Sequence, residues 1–293
     1  MKILVTGGDG QLGNALRKFA GDYQDHVFSF IDIHDLDLTD STRMDTYLTE
    51  YNPNVLINCA AYTAVDKAES EPERAMAVNA MVPGEMAKIC ANTGIRLVHI
   101  STDYVFDGKS FIPYKENDPV NPVSVYAKSK MEGETRILQE NVRGIIIRTS
   151  WLYSEYGQNF VKTILKKGKE LGKLRVVYDQ VGSPTYAGDL AKAILDILPE
   201  VAATNSMEIY HYADEGVISW FDFAHAIIEI SGIQCVLDPI ESKDFSASAT
   251  RPPYSVFNKA RFKKRFGITI PYWRTSLEEC IGNMPEFMNM NKQ

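Results

Sequence analysis

Several features are missing from this 293-residue sequence, and each absence removes a class of protein. Its four cysteines are scattered without any Cys-x-x-Cys pair, which disfavours a disulfide scaffold or a zinc site and indicates a reduced, cytoplasmic compartment. No apolar run is long enough to span a bilayer, so we expect no membrane association. The first residues lead straight into a strand-like run and lack a signal-peptide layout.

Basic charge is also scarce. The formal net charge is −7 and no basic stripe stands out, so we expect no nucleic-acid partner. Charged residues make up 24% and hydrophobic residues 45% of the chain, which is typical of a globular protein. The length allows one large domain or two closely joined lobes.

A nucleotide-binding pattern opens the chain. Residues 2–6 form a nearly continuous apolar run, followed at once by the glycine-rich residues 7–13 and a helical pattern over 15–19. Glycines at these spacings allow a tight turn and let a pyrophosphate approach the helix N-terminus. A second strand, residues 27–31, ends in Asp32, where a carboxylate would accept from an adenosine ribose hydroxyl. Together these elements predict a dinucleotide site.

Strands and helices then alternate. Helices are predicted for 42–51 and about 72–90, and buried strands for 55–60, 97–101 and 144–148. This order predicts a parallel sheet with helices on both faces. Ligands of such sheets lie at the carboxyl ends of the strands. That rule groups residues 7–13, Asp32, residues 60–63 and residues 101–103.

The pattern changes after Ser150, where aromatic residues cluster and glycines interrupt the alternation. A further strand is predicted around 176–178. We therefore expect a Rossmann-type, doubly wound α/β fold with a smaller α/β lobe. Residues 1–150 would form the dinucleotide-binding domain, with later sheet elements from about 173–230, and residues 151–293 would form mainly the substrate-binding lobe.

Tyr126 and Lys130 are four residues apart and therefore lie on one face of a helix. A neighbouring ammonium lowers the pKa of a phenol, so this pair could protonate a carbonyl oxygen that receives a hydride. Ser101-Thr102 ends the fourth strand, and a hydroxyl there could hydrogen-bond the same oxygen. A chance Tyr-x-x-x-Lys spacing and a strand-capping hydroxyl are the structural alternatives.

The chain resembles the extended short-chain dehydrogenase/reductases, and more closely the dTDP-4-dehydrorhamnose reductases, over essentially its whole length. The motifs that carry this resemblance are residues 6–13, residues 58–69, residues 101–106, Tyr126 with Lys130, residues 148–151, Asp179-Gln180, Pro184-Thr185, and Arg251-Pro252 with Ser255. The second and third are specific to the reductase group.

The resemblance implies reduction of the 4-keto group of dTDP-4-dehydro-L-rhamnose, a dTDP-sugar, to dTDP-L-rhamnose. Tyr126 would donate the proton, Lys130 would hold the nicotinamide ribose and lower the tyrosine pKa, and Thr102 would bind the keto oxygen. Asp103 and Trp151 match positions that line the sugar site. The implied cofactor-binding residues are Gly7, Gly10, Gln11, Leu12, Asp32, Asp37, Leu38, Ala60, Ala61, Tyr62, Thr63, Tyr126 and Lys130.

The cofactor is expected to be NADPH or NADH. Asp32 favours NADH because a carboxylate would repel a 2′-phosphate, although the family often accepts NADPH. Some relatives dimerise through a metal near the first helix, but Asn14-Ala15 stands there, so we predict no metal and leave monomer and homodimer open.

Two other functions stay open at this point. A sugar-nucleotide 4-epimerase needs only the tyrosine, the lysine and a retained NAD, whereas a 4,6-dehydratase is disfavoured because Tyr104 replaces the required glutamate. A cofactor-binding regulatory subunit of the methionine adenosyltransferase type would need no proton donor.

Arg251 is predicted to contact the substrate diphosphate, because a planar guanidinium suits phosphate.

Overall fold

The computed structural model describes residues 1–285. Its strands are β1 (Lys2–Thr6), β2 (Val27–Ile31), β3 (Val55–Asn58), β4 (Arg96–Thr102), β5 (Arg143–Thr149), β6 (Leu152–Tyr153), β7 (Lys173–Val177), β8 (Val181–Gly182), β9 (Thr185–Tyr186), β10 (Met207–His211), β11 (Ile218–Ser219) and β12 (Val236–Ile240). Its helices are α1 (Gln11–Ala20), α2 (Ser41–Tyr51), α3 (Val65–Ala68), α4 (Pro72–Met76), α5 (Val82–Thr93), α6 (Val125–Gln139), α7 (Phe160–Leu171), α8 (Ala187–Asp196), α9 (Leu198–Ala202), α10 (Trp220–Ser231), α11 (Ala260–Phe266) and α12 (Trp273–Gly282).

The central sheet has six parallel strands in the order β10-β5-β4-β3-β1-β2. Its middle strands are buried on both faces, which explains their continuous apolar runs. Apolar side chains of α1 and α8 cover one face, and those of α2, α5 and α6 cover the other. The predicted α/β fold with a parallel central sheet is confirmed. Within the described residues, none of the helices is both long and apolar enough to cross a membrane.

The helix predicted over about 72–90 is longer and is interrupted. A π-helical turn, Ala77–Met81, joins α4 to α5. Pro83 has no N–H to donate to the carbonyl of Asn79 four residues earlier, so the regular ladder is broken there. The Asn79 carbonyl instead faces Gly133 of α6, where an added Cβ would lie 2.1 Å from the oxygen.

The smaller lobe is built from paired short strands and three helices. β7 pairs with β12, β8 with β11 and β6 with β9, while α7, α10 and α12 enclose a separate apolar core. The strand predicted around 176–178 is β7, and its partner is β12, not the central sheet. Later sheet elements were expected from about residues 173–230. Among the described residues of that range, the strand that joins the central sheet is β10, which pairs with β5.

Candidate active site

A cavity of about 890 Å³ opens at the carboxyl ends of the central strands. This is the edge that the rule for parallel sheets indicates. Apart from Arg251, the residues predicted to bind cofactor or substrate line it, and so does the predicted catalytic set. They are Gly7, Gly10, Gln11, Leu12, Asp32, Asp37, Leu38, Ala60, Ala61, Tyr62, Thr63, Thr102, Asp103, Tyr126, Lys130 and Trp151.

The glycine loop fits a dinucleotide at one end of this cavity. Gly7 has a φ of +69°, which favours glycine. A Cβ on Gly13 would lie 2.2 Å from the Gly7 carbonyl oxygen, so only glycine lets α1 pack this close to β1. The first turn of α1 has no side-chain cap and no acidic residue. Its free N–H groups therefore face the cavity as a site for a pyrophosphate.

Asp32 directly follows β2 and lies beside this loop. Its Oδ2 accepts a hydrogen bond from the Asp9 backbone N–H at 2.9 Å, and its Oδ1 accepts one from the Ile33 N–H at 2.8 Å. These bonds fix the carboxylate against the glycine loop. Arg17, which pairs with Asp9 at 3.3 Å, brings a guanidinium to the same corner.

The side-chain amide of Asn79 holds the loop over residues 60–63 in place through hydrogen bonds. Its Oδ1 accepts from the Tyr62 N–H at 2.8 Å, and its Nδ2 donates to the Tyr62 carbonyl and to Ser129 Oγ, both at 3.0 Å. The π turn places this side chain between the loop and α6. Asn79 was missed in the sequence, although a buried amide within an apolar helix was a usable signal.

Tyr126 and Thr102 stand together on the cavity wall. Ser124 caps α6 by accepting from the Ala127 N–H at 3.2 Å, which sets the first turn that carries Tyr126. Burial raises the pKa of the Tyr126 phenol to about 12, a hydrogen bond with Thr102 lowers it, and Asp103 raises it further. The Tyr126 ring is half-buried and borders the cavity.

Lys130 does not act on this phenol in the way that the sequence predicted. Its Nζ donates to the Ile100 carbonyl at 2.6 Å and lies 3.4 Å from His99 Nε2. Burial lowers the pKa of Lys130 to about 8, against the opposing attraction of Glu134 and Cys59. Because Lys130 Nζ is directed to the strand, the influences that shift the pKa of Tyr126 in the protein alone are its burial, Thr102 and Asp103, and the expected lowering by Lys130 is absent.

Asp103 supplies a buried carboxyl group at the same wall. Its Oδ1 accepts from Thr102 Oγ1 at 3.2 Å, while Oδ2 has no hydrogen-bond partner within residues 1–285. Burial raises the pKa of Asp103 to about 7, and the nearby hydroxyls of Ser255 and Thr102 oppose that shift. A buried oxygen without a partner is costly, so it is available to a polar group of a ligand.

The sequence and structural relatives of the chain agree with one another. The family model described as "RmlD substrate binding domain" matches residues 1–285. A dTDP-4-dehydrorhamnose reductase of Aggregatibacter actinomycetemcomitans is 38% identical over 94% of this chain and 97% of its own length. This chain belongs to the dTDP-4-dehydrorhamnose reductase family.

Solved structures support the same membership. The reductase of Clostridium acetobutylicum has a TM-score of 0.91 at 40% identity, covering 96% of this chain and 98% of its own. The reductase of Bacillus anthracis, solved in complex with NADP, has a TM-score of 0.89 at 35% identity, covering 95% and 98%. The family resemblance stated from the motifs is thus confirmed.

Trp151 shows how this family member shapes the end of the cavity away from the glycine loop. Its φ is +48°, an uncommon value for a bulky residue. The ring stacks on Trp220 at 3.6 Å between centroids and 10° between planes. Gly182 leaves room for the indole, because a Cβ there would lie 2.7 Å from it. Trp220 also lines the cavity and was missed, since no local pattern links it to Trp151.

The Arg251 prediction differs from the structure. The guanidinium donates to Asp66 at 2.6 and 3.2 Å, and Arg251 does not line the cavity. Asp66 also accepts from the N–H groups of Ser248 and Ala249. Arg251 therefore holds the 248–251 loop against α3. Its positive charge, which was predicted to bind the substrate diphosphate, is paired with the carboxylate of Asp66.

A buried ion pair lies below the reductase site. Arg148 binds Glu134 through two nitrogens, at 3.0 Å from Nε to Oε1 and 2.6 Å from Nη2 to Oε2, and both side chains are almost fully buried. Ser101 donates to Glu134 Oε1 at 2.5 Å. Glu134 stands one turn after Lys130 on α6, so the pair ties the helix to β4 and β5. The sequence analysis did not predict this ion pair, although the i+4 spacing of Glu134 from Lys130 was visible.

Proposed function

We propose that this protein catalyses the NADPH- or NADH-dependent reduction of dTDP-4-dehydro-L-rhamnose to dTDP-L-rhamnose, the last step in the synthesis of that sugar nucleotide. One observation carries the proposal. The hydroxyls of Thr102 and Tyr126 line the same cavity as the uncapped glycine-loop helix, in a chain that is related over its full length to reductases of this name. A proton donor and a dinucleotide site thus share one enclosed space.

The cofactor-binding set fits a dinucleotide by its own chemistry. The N-terminus of α1 would hold the pyrophosphate. Asp32, residues 37–38 and residues 61–63 would hold the adenosine half with the nearby ribose, and Lys130 would hold the nicotinamide ribose. When bound, the reduced nicotinamide supplies a hydride. Both cofactors are proposed, because Asp32 favours a ribose hydroxyl, Arg17 offers a positive charge nearby, and the related B. anthracis structure holds NADP.

The proposed chemistry of the protein is proton delivery to the C4 oxygen. Tyr126 gives its phenolic proton to that oxygen as C4 is reduced, while Thr102 donates a hydrogen bond to it. At neutral pH the Tyr126 phenol carries the proton that it would give, although burial, which raises its pKa, makes it a weaker acid in the protein alone. Lys130 would hold the ribose, and its charge would act on the tyrosine once a ligand redirects the ammonium away from the strand.

The substrate-binding set is proposed to be Thr102, Asp103 and Trp151. Asp103 has an oxygen that no described residue satisfies, and a sugar hydroxyl is a suitable donor to it. Trp151 presents an aromatic edge held in place by Trp220. We place the enzyme in the cytoplasm, a proposal supported by its four free cysteines, and we propose a monomer or homodimer that binds a dTDP-sugar and no nucleic acid.

The deciding experiment mixes the protein, reduced cofactor and dTDP-4-dehydro-L-rhamnose while cofactor absorbance is followed. A reductase consumes one cofactor for each dTDP-L-rhamnose formed. A 4-epimerase would interconvert a sugar nucleotide with no net consumption, and a regulatory binding subunit would bind cofactor without turnover. Either of those outcomes would overturn the proposal.

A further inference from the structure

A chain of buried polar groups runs beneath the cavity and ends at Lys130. Thr6 Oγ1 donates to Asn58 Oδ1 at 2.8 Å, Asn58 Nδ2 lies 3.1 Å from His99 Nδ1, and His99 Nε2 lies 3.4 Å from Lys130 Nζ. Thr6 ends β1, Asn58 ends the neighbouring strand β3 and His99 lies in the middle of β4, and none of the three is more than 1% exposed. Neither Asn58 nor His99 lines the cavity, so a ligand does not contact them.

The backbone fixes the orientation of the Asn58 amide. The Ala60 N–H donates to Asn58 Oδ1 at 3.1 Å, and a backbone N–H can only donate. That atom is therefore the oxygen, and the atom facing His99 is the NH₂ group. His99 Nδ1 must accept from it. A neutral imidazole has one N–H, so His99 carries its proton on Nε2.

The Nε2–H then points at Lys130, with consequences for the charge of the lysine. An ammonium has three donors and no lone pair, so it cannot accept this hydrogen bond, whereas an amine can. Lys130 Nζ keeps its own donor bond to the Ile100 carbonyl in either form. Burial and the nearby Lys130 lower the pKa of His99 well below its usual value, which keeps the imidazole neutral.

We propose that Asn58 holds His99 as the Nε2–H tautomer and that this N–H favours the amine form of Lys130 in the cofactor-free protein. Asn58 and His99 are thus positioning residues that act through Lys130. Burial of Lys130 works in the same direction, while Glu134 on α6 and Cys59 after β3 oppose it. The inference deepens the proposed role of Lys130. Its biological meaning rests on the proposed function, whereas the tautomer of His99 and the charge of Lys130 can be measured without it.

The first test measures the tautomer of His99 by long-range ¹H–¹⁵N NMR on the ¹⁵N-labelled, cofactor-free protein. We expect the pattern of an Nε2–H imidazole. An Nδ1–H pattern, or a doubly protonated ring at neutral pH, would overturn the inference whether or not the protein reduces keto-sugars. Turnover with an Nδ1–H tautomer would refute only this inference, and an Nε2–H tautomer without turnover would refute only the proposed function.

The second test replaces the amide by a carboxylate of the same shape, Asn58→Asp. The new oxygen accepts from Nδ1–H, so the tautomer should switch and Nε2 should become an acceptor for the Lys130 ammonium. The ¹³Cε titration midpoint of Lys130 should rise by about 1 unit or more, with exposed Lys128 as the reference signal in the same helix. A retained Nε2–H tautomer in this variant would contradict the proposal.

Thr6→Val is the matched control. It removes one donor to Asn58 Oδ1 but leaves the Ala60 N–H, which suffices to orient the amide. The tautomer and the Lys130 midpoint should both stay at their parent values. If Thr6→Val switches the tautomer as Asn58→Asp does, general disturbance of the buried chain explains both results and the inference falls.

Discussion

The two ends of the cavity are built by different means. The end that fits a dinucleotide uses consecutive residues just after β1, β2 and β3, and its contacts are backbone N–H groups, glycines and one carboxylate. The other end brings together Asp103, Trp151 and Trp220, which lie far apart in sequence and come from both lobes. Backbone geometry is encoded locally, whereas a side-chain wall exists only after the lobes have packed.

The boundary between the two ends is Tyr126, and its loss should have the largest effect. Tyr126→Phe keeps the ring and its edge-to-face contact with Tyr104 but removes the proton donor. We expect kcat to fall by about 10² to 10⁴, while both ligands still bind, as measured by steady-state kinetics and calorimetry. A variant as fast as the parent would show that the phenol is not the acid.

Trp220→Ala should affect only the substrate end. The variant removes the ring on which the Trp151 indole stacks, and an aromatic pair contributes about 0.5–1.5 kcal/mol. KM for the sugar nucleotide should rise by about threefold to tenfold, with KM for the cofactor unchanged. Phe221→Ala, at the next position and outside the cavity, is the control. Equal effects of the two variants would indicate general loosening of α10.

Asp32→Ser should affect only the cofactor end. Removing the carboxylate takes away a hydroxyl acceptor and a repulsive charge while leaving Arg17 in place, so the preference should move towards NADPH. The ratio of kcat/KM for NADPH and NADH in parent and variant measures this, with KM for the sugar nucleotide as the control. A ratio that stays constant would mean that Asp32 does not face the ribose.

The smallest expected effect is on stability. Because the pKa of Asp103 is raised to about 7 in the fold, the folded protein binds a proton that the unfolded chain releases near pH 4. Asp103 therefore contributes stability below pH 4 that is lost as the pH rises to about 7. Asp103→Asn should raise Tm more at pH 8 than at pH 5 in thermal melts. An equal gain in Tm at pH 5 and at pH 8 would show that Asp103 does not titrate between these two pH values.

Much of the fold was predictable because its signals are local. The β1–loop–α1 order, the alternating strands and the Tyr126–Lys130 spacing each depend on neighbouring residues. The π turn, Asn79, Glu134 and Trp220 were not predicted, because their partners are set by the packing of α6 and the smaller lobe. The lowering of the Tyr126 pKa by Lys130 is absent in the protein alone, because sequence spacing does not reveal that Lys130 Nζ donates to the Ile100 carbonyl.

The position of β10 has a consequence for how the chain can be divided. The strand that borders β5 comes from residues 207–211, and α8, which covers α1, comes from 187–196. A fragment ending at residue 150 would leave β5 as an open strand edge and one face of the sheet without its helical cover. Such an edge pairs readily with other chains, so the fragment would be prone to aggregate. The central sheet therefore depends on residues beyond 150, and a graft of it between relatives must exchange β10 and α8 together with the first 150 residues.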